Sequence, residues 1–87
     1  MTYVKHIVLD VLKPHQPNAL EFARGLAERG GDFLVTISVQ AVDEKTESVL
    51  IEIRGGDIDF DAVQEAIGEL GGSVHSIDAV EVQGGAE

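Results

Sequence analysis

FLVTISVQAVDEKTESVLIEIR, residues 33–54, is the stretch on which the fold turns. Its first part sets Phe33, Val35, Ile37, Val39 and Ala41 against Thr36, Ser38 and Gln40, the period of two that turns one side of a strand to a core and the other to water. Polar residues Asp43-Glu-Lys-Thr-Glu47 interrupt the pattern, after which Val49, Ile51 and Ile53 alternate with Leu50, Glu52 and Arg54. So short a polar connection joins antiparallel neighbours, and the stretch reads as a hairpin of two strands.

Toward the N-terminus, YVKHIVLDVL from Tyr3 to Leu12 is rich in β-formers, with Ile7, Leu9 and Val11 on one face and His6, Val8 and Asp10 on the other. Pro14 ends this strand. Asn18-Ala-Leu-Glu21 has the spacing of a capping box just after Pro17, and Leu20, Ala23, Leu26 and Ala27 form an apolar stripe as far as Gly30. The spacing predicts a helix over residues 18–29. Toward the C-terminus, Gly55-Gly56 breaks the hairpin's second strand and Asp59 stands as an N-cap. Phe60, Val63, Ile67 and Leu70 then recur at helical spacing up to Gly71-Gly72. Val74 to Val82 reads as a last strand, and residues 83–87 as a frayed tail. Perfect alternation in that strand would carry Ser76 and Asp78 to the core face together with Val74, Val80 and Val82. An unpaired buried carboxylate costs several kcal/mol, which favours a bulge between Ser76 and Ala79 over an Asp78 held inside by hydrogen bonds.

The order βαββαβ with one-sided helices predicts a single α+β domain over residues 1–87, a ferredoxin-like sandwich. Its four-stranded antiparallel sheet has the order 4-1-3-2, with both helices on one face. The hairpin's first strand then lies at an edge without Pro, Lys or Gly to discourage pairing, and Val8, Leu12 and Leu50 sit on the uncovered face. Both features predict self-association into a homo-oligomer.

Composition narrows the partners. Apolar residues make up 44% of the 87 and aromatics 5%, so a modest core must come from Val, Ile, Leu and Ala. Sixteen acids against six bases leave a net charge of −10, a field that repels nucleic-acid phosphates and anionic lipid. Such acidity also suits high salt, where screening relieves self-repulsion. The absence of Cys excludes disulfides, thiolate zinc sites and thiol redox chemistry, and with no signal-peptide pattern or bilayer-length apolar run the expected location is cytoplasmic. Other uses of this fold also fail on residues. Base stacking needs aromatics where Val8, Asp10, Leu50 and Glu52 stand; copper carriage needs a Cys pair; acylphosphatase-like chemistry needs an Arg just after the first strand, and the first is Arg24.

Three segments go beyond a generic pattern: Ile7-Val-Leu-Asp-Val-Leu-Lys-Pro-His15, the turn Asp43-Glu-Lys-Thr-Glu47, and Gly71-Gly-Ser-Val-His-Ser-Ile-Asp-Ala-Val80. Together they resemble the small archaeal family known as domain of unknown function 211, over almost the whole chain. The resemblance implies an ACT-like variant of the ferredoxin-like fold in symmetric homo-oligomers, with no established activity. Ala79 departs from the family pattern, in which an acidic residue is expected after Asp78.

The residues suited to chemistry are His6, Asp10, His15, His75 and Asp78, a ligand-binding set drawn largely from the first and third segments and from strands that neighbour one another in this fold. His6, Asp10 and His75 are the subset suited to a divalent metal ion, the one cofactor the sequence suggests, or to proton transfer with a His as base. Three His in a chain of this size are equally ordinary as scattered surface residues. Asp57, Asp59 and Asp61 resemble the opening of a calcium loop, but Ala62 and Gly68 stand where an EF-hand needs Gly and Glu, which leaves a weak surface cation site or simple helix capping. Lys13 and His15, near the start of the first helix, could hold a phosphate or carboxylate. The four Gly-Gly pairs lack phosphate-loop spacing and read as turns. The expected function is a homo-oligomeric binding module for a small ligand or metal ion at subunit interfaces; the alternatives are a small proton-transfer or lyase enzyme and a structural assembly subunit.

Overall fold

The computed structural model describes residues 1–86; Glu87, part of the expected tail, lies outside the described residues. The chain runs β1 (Thr2–Pro14), α1 (Ala19–Ala27), β2 (Leu34–Val42), β3 (Thr46–Arg54), α2 (Phe60–Glu69) and β4 (Ser73–Gly84). The strands form one sheet in the order β2-β3-β1-β4, every neighbouring pair antiparallel, which is the ferredoxin-like α+β topology. β4 extends past the expected end of the strand: Gln83 pairs with Tyr3, Gly84 with Thr2, and the Gly85 amide donates to the Met1 carbonyl at 2.8 Å. The N-terminal end of β1 therefore anchors most of the segment expected to fray.

One side of the sheet carries the core. Ile7, Leu9 and Val11 of β1 pair with Ile53, Ile51 and Val49 of β3, and all six are buried. Phe22 and Leu26 of α1 and Val63, Ala66 and Ile67 of α2 close over them. In α1 the buried stripe is rotated from the expected one, for Leu20 is 59% exposed and Phe22 is fully buried. A Phe side chain hides more apolar area than a Leu, worth about 1.5–3 kcal/mol when fully buried, so the helix turns its ring inward.

Three of the four helix ends have a specific terminator. Asn18 accepts from the Glu21 amide at 3.0 Å and Asp59 from the Ala62 amide at 3.3 Å, N-caps at the positions the sequence predicts. Helix α2 closes in a Schellman motif: the Gly72 amide donates to Ile67 and the Gly71 amide to Gly68, with Gly71 at φ +91°, where a Cβ would be strained.

Lys13 follows Val11 on the core side of β1 and is completely buried. Its ammonium donates to the Pro14 carbonyl at 2.8 Å and to Glu47 Oε1 at 3.0 Å, and lies 5.7 Å from the centre of the Phe22 ring. Glu47 is its direct cross-strand partner. Among the described residues no buried side-chain polar atom lacks a partner.

Two stability outcomes follow from these contacts. Asp59→Ala should cost about 1 kcal/mol by uncapping α2, read as a lower urea midpoint; an unchanged midpoint would mean that the cap contributes nothing. Lys13→Ala removes a long buried stem, a cavity that costs about 2–5 kcal/mol for a side chain of Met size, whereas Lys13→Met keeps the volume and should retain most of the stability. Equal losses in the two variants would assign the stem no packing role.

Candidate functional site

The face of the sheet opposite the helices is built from alternate residues of β1 beyond the register shift at Lys5. His6, Val8, Asp10 and Leu12 stand along it, beside Arg54, Glu52, Leu50 and Ser48 of β3. On the other side β4 does not run in simple register. Val8 pairs with Ala79 but Leu9 with Ile77, so Asp78 is an extra residue; Asp10 pairs with Ser76 but Val11 with Val74, so His75 is another. These are β-bulges, which re-aim side chains next to them.

The first bulge is the one expected between Ser76 and Ala79. It leaves Asp78 exposed, accepting a 2.6 Å hydrogen bond from the Ser76 hydroxyl, and avoids burying a carboxylate. With the second bulge it takes Ser76 off the core face that Val74, Val80 and Val82 share. Val74 pairs with buried Val11, while Ser76 pairs with Asp10 on the open face.

The second bulge was not legible in the sequence and shapes the site. It brings His75 into a pocket of about 290 Å³ on the open face, lined by Asp10, Leu12, Ser48 and His75. Asp10 and His75 are thus brought together from two strands, an imidazole and a carboxylate beside a hydroxyl and an apolar wall. The remaining candidates lie elsewhere. His6 shares a strand and a face with Asp10 but stands four residues away, about 13 Å, whereas two ligands of one ion lie within about 4 Å of each other. Its Nε2 instead meets Glu52 Oε1 at 3.1 Å. Among the described residues, no three His, Asp or Glu side chains gather as a metal-holding group.

His15 is at the far end of β1, with Nδ1 3.1 Å from Glu47 Oε2 and Nε2 3.0 Å from the Glu44 carbonyl. The carboxylate that Lys13 and His15 hold is therefore the protein's own, Glu47, and not a bound anion. Glu47 lies below its ordinary range because His15 and then Lys13 hydrogen-bond its charged form. Asp57 Oδ1 accepts from the Val4 amide at 3.1 Å and Asp59 caps α2, while Asp61 lies exposed in the first turn of that helix. With two of these three carboxylates committed to backbone amides, the acids of residues 57–61 act as a loop and helix anchor.

A second cavity, of about 320 Å³, lies between the helix ends and is lined by Gly25, Glu28, Arg29, Ala66, Glu69 and Leu70. Arg29 and Glu69 form an ion pair at its wall, and none of the candidate residues lines it. The open-face pocket is smaller but is where the chemistry converges. Among the described residues, no helix is long and apolar enough to cross a membrane.

Residues 5–86 match the family described as uncharacterised ArCR proteins, domain of unknown function 211. An uncharacterised protein of Methanocaldococcus jannaschii is 44% identical over 80 residues, covering 92% of this chain and 82% of its own. All three motif segments fall within the matched region, and with identity at that level over nearly the full length, the chain belongs to this archaeal family of unknown function.

Proposed function

We propose that the protein is a non-catalytic, ACT-like binding module that assembles with copies of itself and takes a divalent cation or small polar ligand where two open faces meet. The observation that carries this reading is the pocket holding Asp10 and His75. One protomer offers two good donors there, whereas a borderline divalent ion such as zinc takes about four. A two-fold contact between open faces supplies two Asp10 carboxylates and two His75 imidazoles, a nitrogen and oxygen set suited to such an ion. Pockets at interfaces are common ligand sites.

Exposed apolar surface supports the assembly half of the reading. Leu12 is 41% exposed at the rim of the pocket, and Val8 and Leu50 lie half-buried on the same face. Edge strand β2 adds an unpaired row of backbone groups from Leu34 to Val42. With a net charge of −10, screening by salt favours any such contact.

Elemental analysis and light scattering test the two halves. Purified protein should carry one divalent ion per two chains. His75→Ala and Asp10→Asn should lose it with the fold intact, and His6→Ala should keep it. Metal-free wild-type protein, or equal metal in all variants, removes the cation reading. At micromolar concentration the chain should scatter as an oligomer, more strongly in high salt, and Leu12→Glu should shift it toward the monomer. A monomer in both low and high salt would overturn the assembly on which the reading depends.

A further inference from the structure

Where β1 ends, a charged cluster stands apart from the pocket. His15 has an oxygen acceptor on each ring nitrogen, Glu47 Oε2 at 3.1 Å and the Glu44 carbonyl at 3.0 Å. Glu47 belongs to β3 and Glu44 to the turn between β2 and β3, so one side chain ties β1 to both parts of the hairpin. The other oxygen of Glu47 takes the ammonium of Lys13 at 3.0 Å, and Lys13 is immobilised by complete burial. The turn has one further backbone tie, the Asp43 amide donating to the Thr46 carbonyl at 2.8 Å, and Asp43, Glu44 and Lys45 are exposed.

A neutral imidazole carries one N–H, and its other nitrogen is an acceptor. In this geometry a neutral His15 would point a lone pair at either a carboxylate or a carbonyl oxygen. Only the imidazolium satisfies both contacts. We propose that His15 is a protonation-dependent clasp, which as imidazolium pins the β2–β3 turn to the end of β1 and on losing its proton releases that turn. The consequence reaches edge strand β2, whose last residue, Val42, leads directly into the turn.

The charged groups around the ring are Glu47 on β3, Lys13 on β1, and Asp43 and Glu44 in the turn, the latter two acting through their carbonyls. Their balance favours the proton: the Glu47 hydrogen bond first, then the Glu44 carbonyl, hold His15 above its ordinary value of 6.5. A group raised in the folded state contributes stability that is full below 6.5 and is lost as the pH rises through its raised value. Glu47, lowered from 4.5, contributes stability present above 4.5 and lost as the pH falls through its lowered value. The clasp is closed between those two limits.

An NMR titration of the full chain tests this, following the His15 ring nitrogens together with hydrogen exchange at the Asp43–Glu47 amides. The expected result is a His15 midpoint above 6.5, both ring nitrogens protonated below it, and a several-fold loss of turn protection, beyond intrinsic exchange, with the same midpoint. Glu47→Gln should bring the His15 midpoint down, and His15→Gln should abolish the step in protection while the core amides stay protected. A His15 midpoint at or below 6.5, or turn protection that stays level through the His15 titration, would overturn the clasp.

Discussion

The constraint on which the rest of the structure depends is the double pairing of β1. This strand is hydrogen-bonded along both sides, to β3 and to β4, so each of its residues must suit two neighbours and one of two faces. Ile7, Leu9 and Val11 meet β3's Ile53, Ile51 and Val49 on the helix side, and the helices have a continuous apolar floor to cover. The same alternation commits His6, Val8, Asp10 and Leu12 to the opposite face. A slip of one residue would exchange the two sets and bury a His and an Asp against Phe22 and Ile67. The core and the open face are therefore two results of one register.

The pairings with β3 and β4 differ in kind. With β3, β1 keeps strict register from His6 to Pro14, while with β4 the register shifts three times. One shift lies on the β1 side between Val4 and His6, where the loop after β3 docks: the Gly55 amide donates to the Lys5 carbonyl, and Val4 exchanges bonds with Ile58 and Asp57. The other two are the bulges at Asp78 and His75. Regularity on one side builds the core, and irregularity on the other builds the pocket.

That difference explains how much the sequence revealed. Alternation around Ile51 and Val49, the caps Asn18 and Asp59, and the Gly71-Gly72 stop are local signals, and they specify element order, sheet order and the ferredoxin-like fold. The bulge at Asp78 was legible because perfect alternation would have buried a carboxylate. The bulge at His75 gave no such sign, because His is tolerated on either face and Ser76 has no strong preference. The sequence grouped Asp10 and His75 with His6, but the bulge that sets the first two in one pocket was for that reason hidden, as was the separation of His6 from both of them. Lys13 and His15 were recognised as a place for an anion, but the anion proved to be Glu47, a partner 34 residues from Lys13 that only the hairpin register supplies. In α1, spacing alone did not distinguish Leu20 from Phe22; tertiary burial of the larger ring decided between them.

The two borders of the sheet also differ in regularity. At one border β2 is regular from Leu34 to Val39 and shifts register once, at Gln40, and at the other β4 is broken by two bulges and bears half-exposed Ile77, Val80 and Val82 on the helix side. A bulged border twists away from a straight newcomer, while a regular one accepts it. The bulges that form the pocket therefore also make the β4 border the poorer template for an added strand, and leave the Leu34–Val39 stretch of β2 as the better one.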